Sequence, residues 1–411
     1  MQLVTVGKKT FRDYLRFIDK EIEKELTFLI QKIKNKKIAM VNATSFGGGV
    51  AEKLHSIIPL MKDLGLNVDW WTIYGHEEFY KVTKKFHNSL QGQEGDLTYN
   101  DKEIFLKYNK INAAYMKEWN YDYIVIHDPQ PAALIDLTER KENEKWIWRC
   151  HIDTSTPNPE YWNFLYKYIL QYDALIFTMR DYVKEDSNFK NITFITPSID
   201  PLSPKNIPME KEEARAVTSA FGVDVNRPLI SQVSRFDPWK DPLGVIDAYK
   251  IVKKEFPSVQ LALIGSMASD DPEGWDYLYR TLRRAGEDYD IIIITNFNGI
   301  SNLEVNAFQT ASDIILQKSI REGFGLTVAE GLWKGIPVIG GNVGGIKLQI
   351  EDGISGYLVD TVEECAEKAL TLLRNPLIAH EMKEAGREKV RKEFLVTKNI
   401  LDYLRLFQKL S

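Results

Sequence analysis

Two acidic residues flank a glycine-bearing stretch in the second half of the chain. The sequence from Glu322 to Glu330 reads Glu-Gly-Phe-Gly-Leu-Thr-Val-Ala-Glu, which predicts a loop running into a short helix over residues 326–334. Eight positions at ~1.5 Å per helical residue would separate the two acids by about 12 Å or more. A retaining glycosidase needs its two carboxylates about 5–5.5 Å apart, so this spacing argues against a hydrolytic pair.

Binding of hydroxyl groups fits the two acids better, with Glu322 directed toward a sugar ring and Glu330 toward a ribose. A carboxylate near the start of a helix also serves as a cap, so a structural role for Glu330 alone stays open. The residues between them, Gly323, Phe324, Gly325, Leu326 and Thr327, are candidates for binding the same ligand through backbone groups.

Two cations follow a predicted strand upstream of that stretch. Arg235 and Lys240 lie in the segment Arg-Phe-Asp-Pro-Trp-Lys, directly after the apolar run that ends at Val233. The planar guanidinium of arginine suits phosphate, and the lysine ammonium acts as a movable point charge. The pair could hold a leaving diphosphate without a metal, or form surface ion pairs with Asp237 or Asp241. A diphosphate clamp beside hydroxyl-binding carboxylates indicates sugar transfer from a nucleotide sugar.

Other candidates also follow predicted strands. Gly47, Gly48 and Gly49 come after the first strand and open a helix, where free N–H groups favour an anion, although a tight turn explains them equally well. They lack the spacing of the dinucleotide fingerprint. Gly265 and Asn296 end two later strands on the donor side. The polar groups expected to meet the acceptor are His127, Asp128, Gln130, His151 and Asp153. A lone histidine at a strand end is commonly structural, so that alternative remains for His151.

Size and composition limit the class of protein. With 411 residues, 44% hydrophobic and 27% charged, the chain has material for two domains of about 150–200 residues each. A net charge of -5 provides no basic field for nucleic acid. No apolar run approaches the ~20 residues of a membrane span, and charged residues interrupt the amino terminus where a signal peptide would be apolar. We therefore expect a cytoplasmic protein without membrane or nucleic-acid partners, and abundant Lys and Glu are typical of thermophiles.

The element order predicts an α/β fold. Short apolar strands alternate with helical patterns from Lys37 onward, as in doubly wound parallel sheets. A linker with three prolines at residues 196–206 divides the series. We predict an N-terminal helical extension (1–35), an acceptor domain (36–200), a donor domain (201–385) and C-terminal helices (386–411). The two domains would be Rossmann-like and face a central cleft, because parallel sheets bind ligands at strand ends near the switch in strand order.

No metal motif stands out in the sequence. Asp288-Tyr-Asp290 has the Asp-x-Asp form, but it precedes its strand and is interpreted as a solvated loop. Cys150 and Cys365 fall in different predicted domains, which argues against a disulfide or a thiolate site. No P-loop and no Gly-x-Ser-x-Gly elbow occurs.

Taken together, these motifs resemble the retaining family-4 glycosyltransferases of the two-domain GT-B type. The resemblance extends from about Lys37 through the glycine loop, the linker, the two cations and the acidic stretch to residues 344–359. Within that family, the stretches 127–131 and 148–153 are most similar to the branch that forms α,α-trehalose. The resemblance implies transfer from UDP-, ADP- or GDP-glucose to glucose, with retention, with no metal or other cofactor, and with closure of the domains.

Carried over by this resemblance, Arg235 and Lys240 would bind the diphosphate, Glu322 the donor-sugar hydroxyls and Glu330 the ribose. His151 would lie near the donor sugar, and Leu326 and Thr327 would donate backbone N–H groups to phosphate. The chain departs from many relatives at Ile346-Lys347-Leu348, where they have Ile-Pro-Glu, so that loop's contacts do not transfer. The final helix would cross back onto the first domain.

Several alternatives remain open from the sequence. A trehalose phosphorylase would place inorganic phosphate in the same cationic pocket, and a polymer-extending synthase would elongate oligosaccharide primers. A nucleotide-sugar epimerase would use a similar architecture without an acceptor, whereas a secreted sugar-binding protein would carry an export signal. The nucleobase is not identified, because Asn296 and Phe297 also fit a simple turn. A homodimer is a mild expectation.

Overall fold

The chain divides into two compact units. The computed structural model describes residues 1–46, 48–185, 187–267 and 272–411. The first unit comprises Met1–Ser198 together with Val396–Ser411, and the second comprises Ile199–Leu395. Each unit is built around its own sheet, so each is described by itself.

A seven-stranded sheet forms the centre of the first unit, in the order β1-β3-β2-β4-β5-β6-β7. All its pairs are parallel except β1 with β3 at the edge. The strand order reverses between β2 and β4. Its strands are β1 (Gln2–Leu3), β2 (Lys37–Asn42), β3 (Asn67–Thr72), β4 (Tyr123–His127), β5 (Lys145–Arg149), β6 (Ala174–Phe177) and β7 (Ile192–Phe194).

The helices of this unit bury faces that the sequence pattern sets. In the first helix, Leu26, Leu29 and Ile33 recur at helical spacing and are buried. A short 3-10 helix, Phe11–Phe17, precedes it, with Phe11 and Tyr14 buried. The helices up to the linker are α1 (Lys20–Ile33), α2 (Gly48–Asp63), α3 (Glu77–Leu90), α4 (Tyr99–Tyr115), α5 (Leu134–Leu137) and α6 (Pro159–Ile169).

The second unit contains a six-stranded parallel sheet in the order β10-β9-β8-β11-β12-β13. This is the strand order of dinucleotide-binding folds, with its switch point between β8 and β11. The strands are β8 (Leu229–Val233), β9 (Gln260–Gly265), β10 (Ile291–Thr295), β11 (Ile314–Gln317), β12 (Val338–Gly341) and β13 (Gly356–Val359).

Both faces of this sheet are buried, which explains why its strands read as nearly continuous apolar runs. Leu261 and Leu263 of β9 face one core with Tyr249, whereas Ala262 faces another with Phe308. The helices are α7 (Lys211–Ser219), α8 (Pro242–Glu255), α9 (Pro272–Ala285), α10 (Asn302–Ala311), α11 (Leu326–Lys334), α12 (Ile346–Gln349), α13 (Val362–Arg374) and α14 (Pro376–Glu393). A last helix, α15 (Val396–Leu410), belongs to the first unit.

The predicted doubly wound α/β class is confirmed. Predicted strands reappear within one or two residues of their expected bounds, and α11 occupies the residues predicted for it. Two strands were missed. The two residues of β1 are too few to show alternation, and β13 follows the turn at Gly353, whose φ is +74°.

Three further sequence inferences concern an acidic loop, the two cysteines and membrane-spanning helices. Asp288 and Asp290 do not form a freely solvated loop, because both pair with Lys253, at 2.5 and 2.9 Å, and Asp290 also pairs with Arg227 at 2.7 Å. Cys150 and Cys365 are free and buried, in different units. Among the described residues, none of the helices combines the length and apolar character that crossing a bilayer requires.

Candidate functional site

In the second unit, the predicted donor residues gather at the switch point. Strands β8 and β11 are parallel neighbours, with Ile230 opposite Ile314. The segments that follow them, residues 234–240 and 318–325, therefore leave the sheet at the same edge. Arg235 and Lys240 lie on the first segment, and Glu322 lies on the second.

Lys240 and Glu322 form an ion pair there. The Nζ atom of Lys240 contacts Oε2 of Glu322, and the two side chains are only 16% and 10% exposed. Gln317 Nε2 and Ser319 Oγ also donate to that oxygen, at 3.4 and 3.3 Å. Backbone contacts position the lysine, because its N–H donates to Asp237 at 3.0 Å. Three donors thus hold the carboxylate through its Oε2 atom.

Arg235 lies beside this pair and is more open to solvent. Its side chain is 66% exposed, and its guanidinium lies 3.0 Å from the buried carboxylate of Asp237. The ion pair with Asp237 anticipated from the sequence therefore exists. Asp241 instead pairs with Lys318 at 2.5 Å and accepts the N–H of Gly244 at the start of α8. Since guanidinium has five N–H donors, the contact with one carboxylate leaves Arg235 able to bind phosphate.

The loop that contains Gly323 and Gly325 places the amino end of α11 at the same edge. Gly325 has φ +79°, in the left-handed region that favours glycine, and makes no side-chain cap. A Cβ atom there would lie 3.2 Å from Cγ of Glu322. Gln349 donates to the carbonyls of Phe324 and Gly325, at 2.5 and 3.3 Å, and Thr327 donates to Val233 at 3.1 Å. The first N–H groups of α11 are thereby fixed beside Glu322, where an anion is favoured.

Glu330 lies deeper than its sequence position suggests. It is the fifth residue of α11 and is 2% exposed, so it does not cap the helix. Gln309 donates to it at 2.8 Å, and Lys205 lies 3.3 Å from its other oxygen. Burial lowers the pKa of nearby Lys334 to about 8, against the opposing effect of the Glu330 carboxylate.

The remaining donor candidates of this unit follow β9 and β10. Gly265 ends β9, and a Cβ atom there would lie 2.4 Å from the ring of Phe236, so only glycine fits. Asn296 is exposed and exchanges two hydrogen bonds with the backbone of Met267, at 2.8 and 3.2 Å. Phe297 stacks on Trp275 with ring centroids 5.6 Å apart.

In the first unit, the predicted acceptor groups meet at the reversal between β2 and β4. His127 Nδ1 lies 2.9 Å from His151 Nε2, and their ring planes are within 6° of parallel. The backbone N–H of His151 donates to Asp128 at 2.8 Å. Asp128 has φ +66°, which is uncommon for a residue with a side chain and typical of constrained functional sites. The structure therefore brings His151 into contact with the adjacent pair His127 and Asp128, which the sequence identified at a different strand end.

Two cations that the sequence analysis missed complete this cluster. Lys53 of α2 places Nζ 2.9 Å from His151 Nδ1, and Arg149 places Nε 3.2 Å from His151 Nε2. Lys53 and Arg149 are 7% and 2% exposed. A signal was present for each, because a lysine on the apolar face of a helix and an arginine within an apolar strand require partners.

Burial and the clustered positive charges control protonation here. Burial lowers the pKa of His127 and of His151 well below the usual value, and Lys53 and Arg149 lower both further. Burial raises the pKa of Asp128 to about 6, against the lowering by the His151 N–H, Lys53 and Arg149. Both imidazoles are therefore neutral near pH 7.

Tyr403 of α15 also contacts the cluster, through Arg149. The guanidinium of Arg149 lies 5.3 Å from the centre of its ring and donates to the carbonyl of Ile195 at 3.1 Å. Among the described residues, Arg149 Nη1 and His127 Nε2 are buried atoms without a hydrogen-bond partner. Arg149 Nη1 is a donor, whereas His127 Nε2 donates or accepts according to its tautomer, and buried polar atoms in that condition indicate a place for a polar ligand.

The other candidates of this unit make hydrogen bonds to residues outside this cluster or are exposed. The carbonyl of Gln130 accepts from Asn109 at 3.0 Å, and Asp153 accepts the N–H of Ser155 at 2.9 Å. Gly48 and Gly49 are exposed at the start of α2, with φ +75° at Gly48. Gly47 lies outside the described residues.

Two doubly wound sheets in one chain, the second in dinucleotide-binding order, define the fold of GT-B glycosyltransferases. A solved UDP-forming α,α-trehalose-phosphate synthase from Burkholderia xenovorans shares it, with a TM-score of 0.72 at 16% identity over 91% of this chain and 99% of that chain. A solved Anabaena protein in complex with UDP and glucose matches with a TM-score of 0.66 at 14% identity, over 90% and 99%.

Sequence comparison narrows this class. The model "Trehalose synthase, N-terminal domain" matches residues 40–184, and "Glycosyl transferases group 1" matches residues 215–389. Trehalose synthase of Rubrobacter xylanophilus is 49% identical over 100% of this chain and 99% of its own length. That of Pyrococcus furiosus is 50% identical over 97% and 96%. The chain belongs to the trehalose synthase family and is a glycosyltransferase.

A more distant match bears on the alternatives. Trehalose phosphorylase of Grifola frondosa is 27% identical over 95% of this chain but only 58% of its own length. The phosphorylase reading is therefore less supported than the synthase reading.

Proposed function

We propose that this enzyme transfers glucose from a nucleoside-diphosphate glucose to free glucose and forms α,α-trehalose. Retention at the donor anomeric carbon and independence of metal are parts of the proposal. The observation that supports it is the Lys240–Glu322 pair, which puts a cation and a carboxylate in contact at the switch point of a sheet that has the strand order of dinucleotide-binding folds.

The diphosphate would bind to Arg235, Lys240 and the first N–H groups of α11. Guanidinium, ammonium and helix N–H groups all stabilise negative charge, and each charge-assisted contact contributes about 1.5–3 kcal/mol. Charge on the phosphate grows as the glycosidic bond breaks, so these contacts strengthen in the transition state. This arrangement supplies the charge stabilisation that a divalent ion provides in other enzymes.

Glu322 would accept hydrogen bonds from donor-sugar hydroxyls. Its carboxylate is mostly buried and contacts Lys240, Gln317 and Ser319, so these contacts hold it beside the proposed sugar site. Glu330 would meet the ribose while sharing its carboxylate with Gln309 and Lys205.

The chemistry we favour is front-face displacement. The bond from the anomeric carbon to the phosphate oxygen breaks, and an oxocarbenium-like glucose forms. The acceptor hydroxyl oxygen then bonds to the same face of that carbon, and its proton passes to the departing phosphate. No protein nucleophile takes part in this scheme. His127, Asp128 and His151 of the first unit would orient the acceptor.

The test is product analysis. The full-length protein is incubated with glucose and UDP-, ADP- or GDP-glucose, with and without a chelator, and the disaccharide is identified by NMR of its anomeric protons. We expect trehalose in which both anomeric carbons have the α configuration, formed at an unchanged rate in the presence of the chelator. A different disaccharide, loss of activity under chelation, or a trapped covalent glycosyl-enzyme would each refute a stated part. Phosphate-dependent breakdown of trehalose without nucleotide would identify a phosphorylase instead.

A further inference from the structure

We propose that Lys53 is a positioning residue that fixes which ring nitrogen carries the proton in His151 and, through it, in His127. In this arrangement His127 presents its Nε2–H to a hydroxyl oxygen of the acceptor sugar. The role of the sugar rests on the proposed function, whereas the protonation pattern of the two histidines does not.

Two buried side chains, Lys53 and His127, and the partly buried His151 form a continuous relay. Nζ of Lys53 lies 2.9 Å from Nδ1 of His151, and Nε2 of His151 lies 2.9 Å from Nδ1 of His127. The ring planes are within 6° of parallel and the ring centroids are 5.2 Å apart, which fits a contact between the two histidines near the plane in which an imidazole donates or accepts. Lys53 is the neighbour of His151 at Nδ1, and His127 is its neighbour at Nε2. Arg149 Nε lies 3.4 Å from Nδ1 and 3.2 Å from Nε2 of His151, so it contacts both nitrogens and selects neither.

The direction of the relay follows from the chemistry of a neutral imidazole, which has one N–H and one acceptor nitrogen. If Lys53 donates to Nδ1 of His151, the ring proton lies on Nε2 and is donated to Nδ1 of His127. The proton of His127 must then lie on its own Nε2. The hydrogen bond at one ring nitrogen therefore sets the state of the nitrogen at the far end.

Lys53 is suited to the donor role. Its amino group has N–H bonds whether or not it is charged, so an N–H to donate to His151 is available in either state. Burial and Arg149 lower the pKa of Lys53 well below its usual value, while Asp128 and Glu52 oppose that shift. The charged and titratable groups around the relay are Glu52 on α2, Asp128 after β4, Arg149 at the end of β5, Cys150 after it and Tyr403 on α15.

The far end of the relay is the observation that points to a ligand. His127 is 2% exposed, and its Nε2 has no hydrogen-bond partner among the described residues. A buried N–H requires an acceptor oxygen. A sugar hydroxyl is an acceptor of the required kind, and His127 lies at the carboxyl end of β4, where ligands of parallel sheets bind.

The first test reads the protonation directly. Full-length protein with 15N-labelled imidazoles is examined by long-range 15N–1H NMR at pH 7.5, and the six histidine signals are assigned with His127→Gln and His151→Gln. Both rings are expected to be neutral with the proton on Nε2. A proton on Nδ1 of either ring, or a charged ring, would overturn the proposal whatever reaction the enzyme performs.

The second test removes the donor. Lys53→Met keeps the length of the side chain, and Lys62→Met on the exposed side of α2 is the matched control. We expect Lys53→Met to raise the KM for glucose about tenfold, the effect of one lost hydrogen bond, with the donor KM unchanged. The His151 signal should change tautomer or titrate at higher pH, because the lysine charge that depresses its pKa is gone.

Further outcomes of the second test are also decisive. Lys53→Arg restores a donor and should recover part of the acceptor affinity. If Lys53→Met leaves both the histidine tautomers and the glucose KM unchanged, Lys53 has no positioning role. If that variant does not fold, the NMR measurement on the unmodified protein still decides the question.

Discussion

Lys240 and Glu322 contact each other across 82 positions of sequence, one residue following β8 and the other following β11. Neither side chain can change without altering the surroundings of the other, because both are largely buried. This coupling is the basis of the first two predictions.

Lys240→Met should weaken binding of the diphosphate strongly. The variant removes one charge-assisted contact that strengthens in the transition state, so kcat/KM should fall at least about 100-fold. Calorimetric titration with UDP alone should show the same loss, whereas Lys254→Met, an exposed position on α8, should bind UDP normally. Undiminished UDP affinity in Lys240→Met would exclude the lysine from the phosphate site.

Glu322→Gln should separate sugar binding from nucleotide binding. The amide keeps the shape of the side chain but no longer has the charge that accepts hydroxyl hydrogen bonds. We expect UDP to bind nearly as before, UDP-glucose to lose the extra affinity that its sugar contributes, and turnover to fall about 100-fold. Glu367→Gln, at an exposed position on α13, is the control. Equal losses of UDP and UDP-glucose affinity would contradict the role assigned to Glu322.

Gly325→Ala should impair activity more than stability. Its left-handed backbone makes any side chain unfavourable by about 1–2 kcal/mol, and the added Cβ atom would press on Glu322. Gly353→Ala is a matched control, since Gly353 has φ +74° and no atom within 4 Å of the added Cβ. Both variants should unfold at lower denaturant concentration, but only Gly325→Ala should lose kcat. Equal activity of the two variants would count against the loop as part of the donor site.

Lys334 should make the free energy of unfolding rise with pH in the alkaline range. Its pKa is about 8 in the folded protein, below the ordinary lysine value of about 10.4 in the unfolded chain. Between these values the unfolded chain binds a proton that the folded protein does not, so this contribution to stability rises with pH, by up to about 3 kcal/mol.

Lys334→Met isolates that contribution. Denaturant midpoints of the parent and the variant are compared at pH 7.5, 9 and 10.5. The difference between them should shift in favour of the parent as the pH rises, because the variant has no proton to release. A constant difference would mean that Lys334 has an ordinary pKa in the folded protein.

The sequence determined the element order and the identity of most candidate residues. Parallel strands buried on both faces are apolar along their length, so strands such as β8 and β10 were recognised within their observed bounds. Because ligands of such sheets bind at strand ends, Arg235 and His127 could be singled out by position alone. Glycine and proline marked the loops, since few other residues adopt their backbone angles.

Only the tertiary structure decided which of these residues meet. The pairing of Lys240 with Glu322, and of Lys53 with His151, depends on the order of strands in the sheet, which local periodicity does not encode. The same holds for the burial of Glu330 against Gln309 and for the contact of Tyr403 on α15 with Arg149. Contacts between residues far apart in sequence arise from packing, and packing is a property of the whole chain.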